Sequence, residues 1–365
     1  MRIAHVFKDA NPPVAAGITR YMADLAAASV ARGADVDLYV AGVKHTRSEQ
    51  RPDGVTIHRF AEAGRALSMP LSWSLAEATR RLDADVVHLH SPNPIAELGV
   101  LANRNDPAVV VSFHAQLGKQ RFLDPVYGPV QRRLMRRARA VLAASQMLVD
   151  APELSAASGR VRLAPYGVSP RMLDAQPGRP RRLDGPLRLL FVGRLVYYKG
   201  IEVLLDAMRE VEDVVLTVYG DGPLRDVVTQ RTQSDPALCG RVTLVHDGDD
   251  NVVRSAHKQH DVVVLPSVSR AEAFGLSMAE AMANGLPAIS TRLGTGTDWV
   301  NLDGQTGLVV APGDTTALAR AIETLKDDTL RHRLAGGALR RAREEFSFDR
   351  HVDLIHDIYE QALAS

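Results

Sequence analysis

The composition of the chain limits what it can be. Its 365 residues, 45% of them hydrophobic, supply enough apolar side chains for two hydrophobic cores. A formal net charge of +1 gives no overall basic field, which argues against extensive nucleic-acid binding. The single cysteine, Cys239, excludes an intramolecular disulfide and fits a reducing compartment. No apolar run approaches the roughly 18 to 20 residues that span a bilayer, so we predict a cytoplasmic enzyme.

Short apolar runs alternate with helical patterns in the N-terminal half. This alternation is typical of βαβ units, in which helices connect parallel strands. The apolar runs predict strands at 2–7, 35–40, 85–89, 108–113 and 139–143. The periodic segments predict helices at 17–32, 74–82, 94–103 and 124–138. We therefore assign residues 1–175 to one doubly wound α/β domain.

The alternation stops at 176–186, where proline, glycine and charged residues indicate an exposed linker. It then resumes and predicts a second domain, 187–346, of the same architecture. The predicted strands lie at 187–192, 214–219, 242–245, 262–265, 288–290 and 308–310, and helices begin near residues 200 and 223. A last segment, 347–365, has apolar residues at helical spacing and should dock one apolar face.

Two glutamates, Glu272 and Glu280, flank a predicted strand-to-helix turn. A buried strand precedes them and apolar residues at helical spacing follow, so Glu272 falls in the loop and Glu280 in the second turn of the helix. The helix opens on Gly275, Leu276 and Ser277, whose backbone N–H groups and helix dipole suit a phosphate. Read alone, the two carboxylates also fit the acid and base of a glycosidase.

Two cations follow the first strand of the second half. Arg194 and Lys199 lie in the loop at the carboxyl end of strand 187–192, where open α/β sheets bind ligands. Two positive charges at this place are able to hold a diphosphate, although their spacing is not that of a Walker motif. Ordinary surface charges are the alternative for this stretch taken alone.

Short motifs in a fixed order carry a family resemblance. In the second half they are Gly193-Arg-Leu-x4-Gly200, Gly220-Asp-Gly-Pro223, Leu265-Pro-Ser267 and Glu272-x7-Glu280. In the first half they are Gly17-Ile-Thr-Arg20, Asp85-Val-Val-His-Leu-His90, Ser112-Phe-His114 and Pro165-Tyr-Gly-Val168. The chain thereby resembles the retaining glycosyltransferases of family four. The resemblance implies the GT-B fold, two Rossmann-like doubly wound domains facing a central cleft, with the helix at 347–365 crossing back to the N-terminal domain.

The resemblance implies a binding site for the diphosphate of a nucleotide sugar. Arg194 and Lys199 would contact the diphosphate with their charges. Gly275, Leu276 and Ser277, at the start of the predicted helix, would offer it backbone N–H groups.

The resemblance also implies contacts to the rest of the donor. Glu280 would hold the nucleotide ribose, and Glu272 would contact hydroxyls of the transferred sugar. Gly17 would let the N-terminal loop approach the phosphates. His114 would reach the sugar from the opposite domain, so that the reaction centre lies in the cleft.

These implications describe a retaining, metal-independent glycosyltransferase that moves a hexose from a nucleoside-diphosphate sugar to a hydroxyl of a glycan or glycolipid, as in polysaccharide biosynthesis. Pre-placed cations and N–H donors stabilise the departing diphosphate, so neither a metal nor a cofactor is expected. The alternatives are a sugar-nucleotide epimerase or a glycosyl phosphorylase on the same fold, or a non-catalytic protein that binds sugar nucleotides.

The loop at 292–301 departs from the Gly-Gly-x-x-Glu loop that is commoner among the relatives. It is one residue longer and carries Asp298 near the place of the usual glutamate. Its glycines permit close backbone approach, so the loop can wrap a ligand. This departure favours a GDP-hexose, such as GDP-mannose, over a UDP-sugar as the donor.

Two further groups of residues have the composition of metal sites. Asp83 and Asp85 have the D-x-D spacing of metal-dependent transferases, but they span a predicted helix end and strand start. We expect His88 and His90 to point to opposite sides of their strand, which would rule out a metal pair. We therefore assign no metal site.

The predicted helix that ends near residue 138 is rich in arginine. Arg132, Arg133, Arg136 and Arg137 accompany apolar residues at helical spacing, so the helix is able to lie on anionic lipid. This predicts a peripheral contact with the inner face of the membrane. A solvated basic face, or a groove for an anionic acceptor, is the alternative.

Overall fold

The computed structural model describes residues 1–9, 17–66, 69–114, 124–173, 184–246 and 249–365. Contacts divide the chain into two compact units. The first unit consists of Met1–Tyr166 and Asp349–Ser365, and the second unit consists of Gly167–Phe348.

The first unit alternates strands and helices as the sequence predicts. Its strands are β1 (Arg2–Phe7), β2 (Asp35–Val43), β3 (Arg47–Gln50), β4 (Thr56–Ala61), β5 (Arg65–Ala66), β6 (Met69–Pro70), β7 (Val86–Ser91), β8 (Ala108–Phe113), β9 (Ala140–Ala143) and β10 (Val161–Leu163). Its helices before the second unit are α1 (Gly17–Ala31), α2 (Trp73–Arg81), α3 (Pro94–Leu101), α4 (Asp124–Arg137) and α5 (Gln146–Val149).

The main sheet of the first unit has eight strands in the order β10-β9-β8-β7-β1-β2-β4-β3. All neighbours are parallel except β3, which runs antiparallel to β4. β7 and β8 are buried along their whole length, as is usual for central strands of a parallel sheet covered on both faces. The strand order reverses between β1 and β7, which makes their carboxyl ends the switch point of this sheet.

The second unit repeats the same alternation. Its strands are β11 (Leu187–Val192), β12 (Val214–Tyr219), β13 (Val242–Val245), β14 (Val262–Leu265), β15 (Ala288–Thr291) and β16 (Gly307–Val310). Its helices are α6 (Ile201–Arg209), α7 (Arg225–Ser234), α8 (Asp250–Gln259), α9 (Leu276–Ala283), α10 (Gly296–Val300), α11 (Thr315–Thr324) and α12 (Asp328–Glu345).

The sheet of the second unit is parallel throughout, in the order β13-β12-β11-β14-β15-β16. This is the 3-2-1-4-5-6 order of a Rossmann fold, and the order reverses between β11 and β14. Leu189 and Phe191 of β11 join Leu204 and Leu205 of α6 in one fully buried cluster, so the apolar face of α6 covers the sheet.

The segment that leaves the first unit differs from its predicted assignment. Residues 167–173 group with the second unit, whereas the predicted first domain runs to residue 175. The reason is local hydrogen bonding, since Asn284 donates to the carbonyl oxygen of Met172 at 2.8 Å. The part of the predicted linker at 176–183 lies outside the described residues.

The last helix, α13 (Phe348–Ala364), belongs to the first unit from Asp349 onward. Its Tyr359 is fully buried, and the hydroxyl lies 2.6 Å from Nδ1 of His88. Its His351 is also buried and hydrogen-bonds the Tyr21 hydroxyl through Nε2 at 2.8 Å. The C-terminal segment therefore completes the core of the first unit.

Candidate functional site

The candidate residues of the second unit lie where β11 and β14 end, at the switch point of the sheet. β11 leads through Gly193 into a 3-10 turn, Tyr197–Lys199. Gly200 follows with a φ of 70°, and a Cβ at this position would lie 2.0 Å from the carbonyl oxygen of Pro266. Glycine therefore allows the turn after β11 to lie directly against the end of β14.

Lys199 and Glu272 form an ion pair at this point. The Lys199 Nζ atom lies 2.5 Å from Glu272 Oε2, and the two side chains are only 13% and 9% exposed. Ser267, just after β14, donates its hydroxyl to the same carboxylate oxygen at 3.2 Å. The structure thus joins two residues for which the resemblance implies separate contacts, one to the diphosphate and one to the sugar.

The ion pair determines the charge state of the lysine. Burial alone would lower the pKa of Lys199, but the charge of Glu272 and the hydrogen bond to it raise the pKa above its ordinary value. Lys199 is therefore a cation at neutral pH, held in one place. A fixed, poorly solvated cation is well suited to stabilise negative charge that develops on a neighbouring group.

The predicted helix N-terminus is present in the second unit. Gly275 has a φ of 84° and immediately precedes α9, which begins at Leu276. A Cβ at this position would lie 2.9 Å from a methyl group of Leu265, so glycine also allows close packing against β14. The first backbone N–H groups of a helix have no acceptor inside it, so those of Leu276 and Ser277 are of the kind that binds an anion.

Glu280 lies on α9, one turn beyond its first residue. The side chain is 3% exposed, which is unusual for a carboxylate. Asn284, at the C-terminal end of α9, donates to the Glu280 carbonyl oxygen at 2.8 Å. This hydrogen bond fixes the Glu280 backbone to the C-terminal end of the short helix.

The other two positions of the predicted phosphate site are exposed. Arg194 follows β11, and its side chain extends into solvent at the carboxyl edge of the sheet. Gly17 is the first residue of α1 in the first unit and is also exposed. The loop before Gly17, residues 10–16, lies outside the described residues.

The loop between β15 and α10 is organised by Asp298. Its Oδ1 accepts the backbone N–H of Leu293 and its Oδ2 that of Gly294, both at 2.9 Å. The Thr297 hydroxyl also donates to Oδ1, at 3.2 Å. The Asp298 carboxylate therefore holds the backbone of its own loop.

A row of buried imidazoles lies at the switch point of the first unit. The Nε2 atom of His114 lies 2.8 Å from Nδ1 of His90, whose Nε2 lies 3.1 Å from Nδ1 of His5. The Nδ1 atom of His114 hydrogen-bonds the Tyr166 hydroxyl. Burial lowers the pKa of both His114 and His5 to about 3, so both rings are neutral at pH 7. Both ring nitrogens of His114 thus have partners, and its predicted contact with a sugar would replace one of them.

The expected divergence of His88 and His90 is wrong. Their ring centroids lie 4.4 Å apart and the rings are stacked. Side chains alternate between the faces of a strand with a period of two, so residues two apart share a face. Nδ1 of His88 bonds Tyr359 and its Nε2 lies 2.7 Å from the Ser112 hydroxyl.

The same-face arrangement places three histidines close enough to share a metal ion. His5, His88 and His90 offer ligand atoms within 4.8 Å of one another. In the structure the rings stack on one another, and His88 and His90 hydrogen-bond Ser112 and His114. The observed contacts of these rings are therefore stacking and hydrogen bonds within the core of the first unit.

The D-x-D pair has a structural role. Asp83 lies 3.1 Å from a guanidinium nitrogen of Arg2, and Asp85 accepts the backbone N–H of Arg2 at 2.7 Å. Both contacts lie at the amino ends of β1 and β7, whereas ligands bind at the carboxyl ends of such strands.

Some residues of the site were missed by sequence reasoning. Ser267 appears in a quoted motif but has no predicted role, although it contacts Glu272. Thr295 donates its hydroxyl to the backbone carbonyl of Glu272 at 2.7 Å. The hydroxyl of Ser267 lies directly after a buried strand, and this position is a signal from which its role could have been predicted. No sequence spacing relates Thr295 to Glu272, which lies 23 positions earlier.

Comparison with known proteins identifies the family. Residues 15–171 match the model described as Glycosyltransferase Family 4, and residues 186–328 match the model described as Glycosyl transferases group 1. The chain is 30% identical over 342 residues to the D-rhamnosyltransferase WbpZ of Pseudomonas aeruginosa, covering 89% of this chain and 86% of the relative. The chain belongs to the family 4 glycosyltransferases. The family models and the relatives thus indicate a glycosyltransferase.

Further comparisons agree with this assignment. The glycosyltransferase is 28% identical over 379 residues to the O-antigen chain mannosyltransferase C of Escherichia coli, and the match covers 100% of both chains. The structure of Anabaena Alr3699/HepE in complex with UDP and glucose superposes with a TM-score of 0.77 and 20% identity, over 98% of each chain. The two α/β units are therefore those of a GT-B glycosyltransferase, as the sequence predicts.

Proposed function

We propose that this glycosyltransferase transfers a hexose from a nucleoside-diphosphate sugar to a hydroxyl of a glycan or glycolipid, with retention of configuration and without a metal. The observation that carries the proposal is the buried Lys199–Glu272 ion pair beside the N-terminus of α9, at the switch point of a Rossmann-like sheet. The names of the relatives, a mannosyltransferase and a D-rhamnosyltransferase, favour mannose or a related hexose.

The proposed donor lies along the carboxyl edge of the second sheet. Lys199, Arg194 and the first N–H groups of α9 bind the diphosphate, Glu280 binds the ribose, and Glu272 binds hydroxyls of the hexose. The bond between the sugar C1 and the phosphate oxygen breaks as the acceptor oxygen bonds to C1 on the same face. The leaving diphosphate takes the acceptor proton, so retention requires no protein nucleophile. A contact of His114 with the transferred sugar is proposed from the family resemblance.

Donor binding is the experiment that tests this proposal. A ligand that binds only the folded protein raises its melting temperature by mass action. We expect a GDP-hexose such as GDP-mannose to raise Tm more than UDP-, ADP- or dTDP-hexoses do, and EDTA to leave the shift unchanged. The expected GDP preference rests on the departure of the loop at 292–301 from the loop that is commoner among the relatives. No shift with any sugar nucleotide would contradict the proposal, and a shift abolished by EDTA would contradict metal independence.

The basic helix α4 supports a second, separate proposal about the partner. Arg132, Arg133 and Arg136 are exposed, whereas Leu134 is fully buried. Arg137 donates to the carbonyl oxygens at the end of α3, at 2.8 Å to Val100, so it stabilises the fold. Leu134 and Ala138 of the expected apolar stripe thus pack into the core. No described helix is long and apolar enough to cross a membrane. We propose that the three exposed arginines contact an anionic lipid surface through charge alone.

Co-sedimentation with liposomes tests this contact. Binding to phosphatidylglycerol vesicles should exceed binding to phosphatidylcholine vesicles and should fall with added salt, since each basic residue contributes about 1 kcal/mol near such a surface. Changing Arg132, Arg133 and Arg136 to glutamate should abolish it. The matched control changes three exposed arginines of α12, Arg333, Arg340 and Arg343, and should retain binding. Unchanged binding in the α4 variant would end the proposal, and lost activity with unchanged vesicle binding would favour an anionic acceptor.

A further inference from the structure

We propose that Thr295 and Asp298 are positioning residues that fix the backbone of Glu272, and that this loop thereby sets how the transferred sugar is held. The inference rests on the proposed contact between Glu272 and the donor hexose. Neither residue is expected to touch the donor. Both act through the loop at 292–298, which comprises the connection between β15 and α10 together with the first three residues of α10.

Two hydrogen bonds join the loop to the backbone at Glu272 and Ala273. The Thr295 hydroxyl donates to the Glu272 carbonyl oxygen at 2.7 Å, and the Gly296 N–H donates to the next carbonyl, that of Ala273, at 2.8 Å. A Cβ on Gly296 would lie 2.5 Å from that same oxygen. The two loops are therefore in backbone contact, and only glycine at 296 permits it.

The backbone at Glu272 needs such support because it has no regular secondary structure. Its N–H donates to the Ser269 carbonyl oxygen at 3.1 Å, within the same loop. The side chain is held by Lys199 and by Ser267, whose carbonyl oxygen accepts the Thr291 hydroxyl. The contacts from 295 and 296 thus fix the peptide that carries the carboxylate, while other residues fix the carboxylate itself.

Asp298 makes the loop rigid enough to serve this role. Its two oxygens accept the N–H groups of Leu293 and Gly294 at 2.9 Å, which closes the turn on itself. The Thr297 hydroxyl links Asp298 to Thr295, since it lies 3.2 Å from Asp298 Oδ1 and 3.0 Å from the Thr295 hydroxyl. A chain of contacts therefore runs from Asp298 through Thr295 to Glu272.

The consequence for function is specific to the sugar. A displacement of about 1 Å in a positioning group can cost on the order of 100-fold in rate. If the loop positions only Glu272, its loss should weaken recognition of the hexose and leave recognition of the nucleotide unchanged. The ratio of the Kd for GDP to the Kd for GDP-mannose isolates the hexose contribution.

Calorimetric titration of wild type and variants with GDP and GDP-mannose tests the proposal. Thr295→Val keeps the shape of the side chain but removes the hydroxyl, and Asp298→Asn removes one acceptor oxygen. Each is expected to lower the ratio by about 5- to 10-fold while changing the Kd for GDP by less than about twofold. Thr295→Ser, which keeps the hydroxyl, should restore the ratio. As a matched control, Asp314→Asn changes another aspartate that accepts a backbone N–H at a helix start, away from this loop, and should leave the ratio unchanged.

The outcomes separate this inference from the proposed function. If Glu272→Ala lowers the ratio but Thr295→Val and Asp298→Asn do not, the positioning role is overturned and the donor site stands. If the Kd for GDP weakens as much as the Kd for GDP-mannose, the loop has a general structural role and the inference is also overturned. If wild type and Glu272→Ala give the same ratio, the proposed role of Glu272 fails, and the positioning role fails with it.

Discussion

Replacement of Lys199 by methionine is expected to lower the turnover of the glycosyltransferase by on the order of 100-fold. Methionine retains the apolar length of the side chain but removes its positive charge. Among the described contacts of the Glu272 carboxylate, the Lys199 Nζ atom at 2.5 Å is the one cation, and the Ser267 hydroxyl is neutral. The variant therefore loses a fixed cation at the proposed diphosphate and leaves a nearly buried carboxylate without its partner. The measurement is the rate of GDP release from GDP-mannose at saturating donor.

Glu272→Ala is expected to lower turnover by a similar factor, because it removes the proposed contact with the hexose and frees Lys199 to move. A matched control is Lys326→Met, which removes a lysine from an ion pair with Glu323 that lies on the surface of the same unit. The control should leave the rate near that of wild type. Rates near wild type for both site variants, with Tm unchanged, would contradict the site.

Acidification is expected to destabilise the first unit strongly. Burial lowers the pKa of His5 and of His114 to about 3, and it lowers the pKa of His88 and of His90 well below the ordinary value. In the unfolded chain a histidine has a pKa of about 6.5, so below that pH the unfolded state binds more protons than the folded state does. The free energy of unfolding therefore falls as the pH falls below about 6.5, and each such histidine contributes up to about 1.4 kcal/mol per pH unit.

Urea unfolding followed by circular dichroism at several pH values between 7 and 5 measures this slope. His5→Leu removes one of the titrating groups. In the wild type, the buried Nε2 atom of the His5 ring has no hydrogen-bond partner among the described residues. The variant should lose about 2 kcal/mol less than wild type between pH 6.5 and 5. Met22→Leu, a substitution of one buried apolar residue by another in the same unit, changes no titrating group and should keep the wild-type slope. A His5→Leu slope equal to that of wild type would contradict the assignment of neutral buried rings.

Apolar runs predict the strands of the sheet centres with small errors. β1, β8, β11 and β14 have the predicted bounds because the central strands of a parallel sheet are largely buried and mostly apolar. The edge strand β3 was not predicted, since its four residues, Arg47–Gln50, are polar and all exposed. Only backbone pairing with β4 makes it a strand, and side-chain patterns do not encode that pairing.

The sequence predicted the candidates of the site but not their contacts. The family motifs indicate Lys199 and Glu272 separately, and no spacing rule relates residues 73 positions apart as an ion pair. The arginines of α4 all looked alike in the sequence, but Arg137 hydrogen-bonds the end of α3 while Arg132 is exposed, because only tertiary packing decides which face is covered. The sequence also places Asp298 near the usual glutamate of its loop but does not predict that its carboxylate accepts the backbone N–H groups of Leu293 and Gly294.

The configuration of the first sugar product tests the central claim most directly. The glycosyltransferase is incubated in EDTA with GDP-α-mannose and, in parallel, with UDP-α-glucose, and the anomeric proton of the released or transferred sugar is followed by NMR before mutarotation. A retaining, metal-independent transferase should give the α product first, and Lys199→Met should slow its appearance. A β product, or turnover that occurs only after a divalent metal is restored, would contradict the account.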